Sequence, residues 1–387
     1  MTDSGAGLGL PGLNVTVVGT VLQVEHLTED LRSMNRSLRS TPTDTIHCER
    51  MYRLSRTVAQ IRAGELTVAE ARASIEADSQ PLVSSWWTLT GAAFLGFCIG
   101  LHVGGGSLTA VCAGATFFAS TAAGRVAARI GLTRLYAVVL QTMFSGAIAG
   151  VLVLTGVLSP SFAVGVMAVS WVLSVLYPAL IGVVVDFVNS NHLAAVAKMA
   201  QLVLVVGGIV VGAVITFALK DVVLAGPVDQ IDIPTLSIAV GIVLSTLAAV
   251  SNAMAKSGGM GLLLPAAIVG LLTACCNQAL INFAGIQAVW AAGLSAVVLG
   301  IGTALWSRFS DYSATILSVM GIMGALLPVM YVYEGLDQAM FHETGQHLLL
   351  QATGMIMMVG IGVVAGFQVT RFIPHRSRRS SGSAANY

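Results

Sequence analysis

Charged residues are scarce in this chain. Asp, Glu, Lys and Arg make up 10% of its 387 residues, whereas about a quarter of a soluble globular domain is charged. Seven stretches contain none of the four: 79–124, 135–185, 199–219, 233–255, 257–307, 312–333 and 344–370. A membrane-spanning helix needs roughly 20 apolar residues. Three of these stretches can each hold two spans and the other four one each, which predicts an integral membrane protein with ten transmembrane helices.

Motifs of other protein classes are missing as well. No Walker A or GxSxG motif occurs, so neither an ATP-driven pump nor a serine hydrolase is predicted. HETGQH (342–347) spaces its histidines by five positions, not the four of the HExxH zinc motif, which turns them about 140° apart on a helix. The cysteines form no CxxC pair, and no strand precedes GLGLPG (7–12). We expect no enzyme activity, metal site or cofactor.

The cations are distributed unevenly between alternate loops. One set of loops, together with the C-terminal tail, carries Arg125, Arg129, Arg134, Lys198, Lys256, Arg308, Arg371, Arg376, Arg378 and Arg379. The opposite set holds Lys220 alone, with several acids. Because cytoplasmic loops are enriched in Lys and Arg, the first set and both termini are predicted to be cytoplasmic.

Residues 1–81 are polar enough to lie outside the membrane. Val and Thr residues in 14–27 predict one or two β-strands. Residues 45–63 predict a helix with Met51 on its apolar face, which ends at Gly64. Thr67 and Glu70 form a capping box that begins a second helix. This short α+β region is too small for a robust core of its own, so we expect it to pack on the membrane domain.

Two features recur at similar spacing along the apolar part. Pro178 and Pro328 are 150 residues apart, and the GxxxG pairs Gly208/Gly212 and Gly362/Gly366 are 154 apart. The predicted fold is therefore an all-α polytopic membrane protein with two inverted five-helix repeats, because an odd span number reverses the second unit. The units are 82–219 and 233–370, with an external linker 220–232 and a basic cytoplasmic tail 371–387. The alternative is that GxxxG marks close helix packing only.

The prolines also predict the site. Pro178 and Pro328 would break the fourth and ninth spans and free backbone groups for a polar substrate. Substrate-binding residues are predicted near both breaks: Ser174, Tyr177, Pro178, Asn189, Asn277, Gln278, Pro328 and Tyr331. Asp186 and Glu334 are predicted to couple protons, with Asp337 nearby. The alternatives are that these acids are solvated in loops, and that Asn277 and Gln278 only hold spans together.

Three segments carry a resemblance to a known family. ERMYRLSRTVAQIRAGELTVAEARASIEA (49–77), LYPALIGVVVDFVNSNHLAAVAKMAQLVLVVGGIVVG (176–212) and ATILSVMGIMGALLPVMYVYEGL (314–336) resemble the bacterial threonine/serine exporter family. The resemblance is diffuse and covers nearly the whole chain from about residue 8. It departs from the family where MGIMGA replaces a more proline-rich stretch. The chain also begins near the strand region, which predicts a reduced N-terminal region; the alternative is that the start is placed late.

The resemblance implies a ten-span inner-membrane exporter of L-threonine and L-serine that is driven by the proton motive force. The expected partners are a small polar amino acid, protons and the lipid bilayer, with no nucleic acid, and a homo-oligomer is left open. Related two-subunit systems are associated with succinate export, so a dicarboxylate exporter is the alternative. No Lys or Arg lies inside a predicted span, which favours a substrate of zero net charge.

Overall fold

A computed structural model describes residues 13–18, 21–27, 33–39, 47–78, 82–104, 106–219, 236–342 and 344–372. These residues form strands β1 Leu13–Val18, β2 Val21–Leu27 and β3 Ser33–Arg39. The helices before residue 220 are α1 Cys48–Arg62, α2 Val68–Ala77, α3 Ser85–His102, α4 Gly106–Arg129, α5 Arg134–Leu154, α6 Pro160–Leu173, α7 Tyr177–Val188 and α8 His192–Ala218. Those after residue 235 are α9 Ile238–Ala255, α10 Met260–Asn282, α11 Ala288–Trp306, α12 Ala314–Ala325, α13 Val329–Phe341 and α14 Gln346–Arg371.

The three strands form one antiparallel sheet in the order β1-β2-β3. Leu13 pairs with His26, and Val21 pairs with Arg39. β1 and β2 confirm the strand prediction for 14–27, whereas β3 was not predicted. Its sequence SMNRSLR has no alternating apolar pattern, so only pairing with β2 reveals it as a strand. The GLGLPG segment lies outside the described residues.

The two short helices α1 and α2 confirm the predicted helix pair. α1 ends before Gly64, whose φ of +71° is in the left-handed region that favours glycine. The capping box at α2 is present: the Glu70 amide donates to Thr67 Oγ1 at 3.3 Å, and the Thr67 amide donates to Glu70 Oε2 at 2.9 Å. The end of α1 and the start of α2 are therefore both set by the local sequence.

α1 docks on the membrane helices through its first turn. The amides of Cys48 and Glu49 donate to the carbonyls of Lys256 and Ser257, at 3.0 and 3.2 Å, just after α9 ends. The unpaired amides that begin α1 thus meet the unpaired carbonyls that end α9. The predicted packing on the membrane domain is confirmed for α1. The predicted apolar face is wrong at Met51, which is 42% exposed, because docking turns Cys48 inward instead.

Eight helical segments are long and apolar enough to cross a membrane: α4, α5, α6 with α7 as one span, α8, α9, α10, α11 and α14. A ninth is reached when α12 and α13, bent by 51°, are taken as one span. The tenth predicted span corresponds to α3. Its 18 residues carry no charge, but this helix is not among the eight candidate spans. The described chain is thus all-α in its membrane part, with eight or nine candidate spans.

The helices fall into two groups with the same neighbours. Within α3–α8, the packed pairs are α3–α4, α4–α5, α5–α8, α4–α6, α5–α6, α7–α8 and α3–α6. The equivalent pairs within α9–α14 are all packed as well. α6 and α12 are the most enclosed, since Phe162 is the one residue of α6 that is not buried. The hydrophobic core therefore surrounds these two helices.

The GxxxG glycines bring two helix pairs into close contact. A Cβ on Gly212 of α8 would lie 2.7 Å from Thr142 Cβ of α5, and one on Gly362 of α14 would lie 2.5 Å from the Gly293 oxygen of α11. Both distances are too short for a real side chain. Each motif therefore packs the last helix of its group on the third helix of the same group.

Candidate functional site

The first interrupted helix lies at α6–α7. α6 ends at Leu173, residues 174–176 do not continue it, and α7 begins at Tyr177. Pro178 is the second residue of α7, where it has no amide to donate and where its ring prevents the preceding turn from staying helical. Ser174 Oγ turns back to donate to the Ser170 carbonyl at 2.8 Å. The predicted break before Pro178 is confirmed.

The second interruption lies between α12 and α13, across residues 326–328. Pro328 is the N-cap of α13, and the two helices meet at 51°. Asn277 reaches this point from α10: its amide Nδ2 donates to the Ala325 carbonyl at 3.4 Å, and the residue is 8% exposed. Its other polar atom, Oδ1, is buried and has no hydrogen-bond partner among the described residues. Asn277 therefore combines the predicted interhelical bond with an acceptor that a substrate could use.

The two interruptions lie within about one helical turn of each other along antiparallel helices. α6 packs on α13 and α7 packs on α12, so the two broken helices run antiparallel. α6 has 14 residues and α13 has 13, and at 1.5 Å per residue each is about 20 Å long. Ser161 at the start of α6 hydrogen-bonds Asp337 near the end of α13, which fixes the two helices end against end. Counted from this contact, the first break lies about 20 Å along α6 and the second about 14 Å along α13, so the two breaks are offset by about one helical turn.

Two buried tyrosines flank the interruptions with free hydroxyl groups. Tyr177 is 1% exposed and Tyr333 is 0% exposed. Neither hydroxyl has a hydrogen-bond partner in the described part of the chain. Tyr333 lies against Gly165 of α6, where an added Cβ would come within 3.3 Å of its ring. Because buried polar groups are normally paired, these hydroxyls are suited to bind a polar ligand.

The acids lie on helices rather than in loops. Asp186 is near the end of α7 and pairs with Lys198 of α8, with 2.6 Å between Oδ2 and Nζ. Glu334 and Asp337 lie within α13 and are partly buried. The loop interpretation is therefore wrong for these three acids, because α7 and α13 continue past both prolines. Glu343, Lys220, the linker 220–232 and the tail beyond Phe372 lie outside the described residues.

The remaining predicted residues are less central. Asn189 caps the far end of α7 and is exposed, and its Oδ1 accepts from Arg371 Nη2 at 3.0 Å. Gln278 Oε1 accepts from Asn282 Nδ2 at 2.7 Å, near the end of α10. Tyr331 packs at the edge of the core. The interruptions thus collect Ser174, Tyr177, Pro178, Asn277 and Pro328, while Asn189 lies about 18 Å along α7 from the first break.

A small pocket of about 20 Å³ opens beside the first interruption. Its lining includes Pro178 of α7, Met320 of α12, Cys48 of α1 and Lys256 after α9. Burial lowers the pKa of the Lys256 ammonium, and the nearby Arg134 lowers it further. The docked first turn of α1 therefore covers one approach to Pro178.

Sequence reasoning missed two polar residues that lie between helices, one buried and one partly buried. Asn252 of α9 is 0% exposed, and its Nδ2 donates to the Val319 carbonyl at 3.4 Å. His102 ends α3 and reaches across to α9, with Nε2 3.5 Å from Ser245 Oγ. Both are polar residues inside uncharged stretches, and that position is the signal that could have found them. The described residues contain no group of three or more His, Cys, Asp or Glu that could hold a metal ion.

The apolar helices, two of them interrupted at mid-length around buried polar groups, define a multi-pass membrane protein of the transporter type. A family model described as "Putative threonine/serine exporter" matches residues 1–220, which is more than half of the 387 residues. The chain belongs to this threonine/serine exporter family, ThrE.

A curated protein is also similar to this chain. It is the "Probable threonine/serine exporter" of Mycobacterium tuberculosis (strain ATCC 25618 / H37Rv), with 28% identity over 347 residues. The match covers 86% of this chain and 64% of the relative, so the chain spans less than two thirds of that protein's length. No solved structure matches the chain.

Proposed function

We propose that this protein is a secondary exporter of small hydroxy amino acids, L-threonine and L-serine, in the plasma (inner) membrane. The family membership and the relative's name favour these substrates. The alternative, a dicarboxylate such as succinate, carries two negative charges and would need cationic partners. Asn277, Tyr177 and Tyr333, three of the unsatisfied polar groups near the two breaks, are neutral. A zwitterion of zero net charge fits them better.

The proposed architecture is two five-helix units of opposite orientation, 82–219 and 233–370. The observation that carries it is the antiparallel packing of equivalent helices. α3 and α9 are the first helices of the two units, and Gly91 lies against Ala255 at one end while His102 reaches Ser245 toward the other. α6–α7 and α12–α13 are antiparallel in the same way. Such inverted units are typical of secondary transporters, whose sites lie where broken helices meet.

The proposed topology places both termini in the cytoplasm. The loops with Arg125, Arg129 and Arg134, and those with Lys256 and Arg308, then face the cytoplasm, as the positive-inside rule requires. α1 docks beside Lys256 on this same side. The end where Ser161 meets Asp337 is then external. Introduced cysteines in the loop 130–133 and the loop 155–159 should be labelled from opposite sides; labelling from one side would refute this topology.

The proposed energy source is the proton motive force. A charged residue in a transmembrane helix is costly and is usually functional. We assign Asp186 and Glu334 to proton coupling: Glu334 is partly buried on α13, and Asp186 pairs with Lys198 at the cytoplasmic end of α7. Ser174, Tyr177, Pro178, Asn277, Gln278, Pro328 and Tyr331 remain the proposed substrate-binding residues.

Transport by the purified protein in proteoliposomes tests the function. Labelled threonine should move in response to a pH gradient, with competition by serine and none by succinate. The Asn277→Leu variant removes the amide at the second break and should lose transport at least tenfold. Asn189→Ala is the matched control, because Asn189 is exposed and remote from both breaks, and it should transport normally. Competition by succinate without competition by threonine would establish the alternative substrate class.

A further inference from the structure

The helix α1 lies over one entrance to the first interruption. In the proposed topology the turn between α9 and α10 faces the cytoplasm, and α1 docks on this turn. The small pocket beneath α1 is lined by Cys48 and Met51 of α1, by Pro178 of α7 and by Met320 of α12. Cys48 is 1% exposed and belongs to the same hydrophobic core as the membrane helices. A solute that approaches Pro178 through this pocket would therefore meet α1 first.

The docked contact combines two helix ends with one carboxylate. The first two amides of α1 donate to the carbonyls of Lys256 and Ser257, which follow the last residue of α9. Glu49 Oε2 in turn accepts from the Gly259 amide at 3.2 Å, immediately before α10 begins. Gly259 leaves room for this carboxylate, because an added Cβ would collide with Glu49 Oε2. The turn between α9 and α10 is thus held by α1 at both of its ends.

Two side-chain contacts strengthen the docking. His47 Nδ1 lies 3.2 Å from Ser257 Oγ. The Tyr52 ring stacks on Tyr312, just before α12, with 4.5 Å between the ring centroids. Ser257 itself has a φ of +56°, in the left-handed region that residues other than glycine seldom adopt. The docked α1 therefore stabilises a turn whose backbone conformation is unfavourable on its own.

The attachment of α1 is shallow. Of the residues in α1, Cys48, Thr57 and Ile61 are buried, and only Cys48 belongs to the docked first turn. α2 packs on α1 and buries Ala71 alone. Water can replace the hydrogen-bond partners of a turn at the membrane surface. Detachment of α1 would therefore expose one of its buried side chains and leave every helix intact.

A short connection keeps α1 near the entrance. α2 ends at Ala77, and α3 begins at Ser85. The connecting residues 78–84 can span at most about 25 Å when fully extended. A detached α1 would therefore stay within reach of the turn between α9 and α10 and could bind it again.

We propose that α1 is a lid on the cytoplasmic entrance. While it is docked it blocks access to the break at Pro178, and its release from the turn between α9 and α10 admits the amino acid. The proposal rests on the proposed export function, which requires threonine or serine to enter from the cytoplasm. The structure shows the lid closed, with Asp186 and Lys198 paired on the same side. Release of α1 is then one step of each transport cycle.

Cross-linking tests whether α1 must detach. In the double variant Tyr52→Cys/Tyr312→Cys, a short bis-maleimide should join α1 to the segment before α12, because the two native rings are stacked. The cross-linked protein should transport threonine into proteoliposomes at least tenfold more slowly than before treatment. The control pair is Arg72→Cys/Glu76→Cys, whose native side chains pair at 2.8 Å on the exposed α2. The same reagent should join this pair within α2 and leave transport unchanged.

A second measurement uses a variant that weakens the docking. Glu49→Ala removes the acceptor of the Gly259 amide, so the lid should be open for a larger fraction of the time and maleimide should label Cys48 several-fold faster. The half-saturating threonine concentration on the cytoplasmic side should fall by a similar factor, because apparent affinity scales with the fraction of protein that is open. Glu65→Ala, in the exposed turn between α1 and α2, is the control and should change neither quantity.

Two outcomes would overturn the lid. One is a cross-linked Tyr52→Cys/Tyr312→Cys protein that transports threonine as fast as the cross-linked control pair. The other is a Glu49→Ala protein in which Cys48 is labelled faster while the half-saturating threonine concentration stays native; this comparison also decides alone if Tyr312→Cys does not fold. A native protein that transports no threonine would instead refute the proposed function, and the entry role of α1 with it.

Discussion

Replacement of Gly362 by alanine should separate the two most closely packed membrane helices. The new Cβ would lie 2.5 Å from the Gly293 oxygen and 2.9 Å from Ala296 Cβ of α11. An ordinary carbon–oxygen contact is about 3.3–3.6 Å, so the helices must move apart by about 1 Å. The obstacle is backbone, which cannot rotate aside. Overpacking of this kind costs about 1–3 kcal/mol, and we expect the upper half of that range.

The same helix provides a matched control. An added Cβ at Gly354 of α14 would meet nothing within 4 Å, and the residue is exposed. Gly354→Ala should therefore gain up to about 1 kcal/mol from the higher helix propensity of alanine. The two variants should differ by about 2–4 kcal/mol, or on the order of 5 °C in Tm. Thermal unfolding in detergent, followed by loss of the monodisperse peak, measures this. If Gly362→Ala is as stable as Gly354→Ala, the close packing is refuted.

Three further predictions concern other parts of the chain. Thr67→Ala removes the capping box of α2 and should cost about 1 kcal/mol there, measured as faster amide exchange in α2; unchanged exchange would contradict it. Burial raises the pKa of the Cys48 thiol to about 12, so maleimide should label Cys48 slowly at neutral pH and faster as pH rises toward that value. Tyr52→Ala removes the stacking on Tyr312, so Cys48 in this variant should be labelled several-fold faster than in the native protein. Asp186→Asn should abolish gradient-driven transport and leave the protein in the membrane. Full activity of this variant would show that Asp186 does not couple transport to the proton gradient.

The prolines show which features of the site can be predicted from the sequence alone. The breaks before Pro178 and Pro328 could be predicted because a proline lacks an amide and excludes the preceding turn from the helix. Yet Pro265 lies inside α10 without interrupting it. It is only the sixth residue of that helix, so few of the helix's backbone hydrogen bonds precede it. A proline's distance from the helix start decides its effect, and that start depends on the tertiary structure.

The sequence alone could not predict which groups the site side chains pair with. Asp186 could be recognised as an unusual acid, but its pairing with Lys198 depends on how α7 packs on α8. Likewise, Asn277 could be singled out and its bond to the Ala325 carbonyl could not. Asn189 looked equally suitable and proved to be a surface cap. These differences are set by where each helix face points in the bundle, and composition does not encode that.

By itself, the sequence determined the membrane class, the helix pair before the spans and the two interrupted helices. These follow from local physical chemistry: apolar length, capping residues and the missing amide of proline. The tertiary structure alone decided the β3 pairing, the docking of α1 on the end of α9, and the contact of His102 with α9. Each of these joins residues far apart in the chain, and the free energy that selects them comes from packing, which no short stretch of sequence contains.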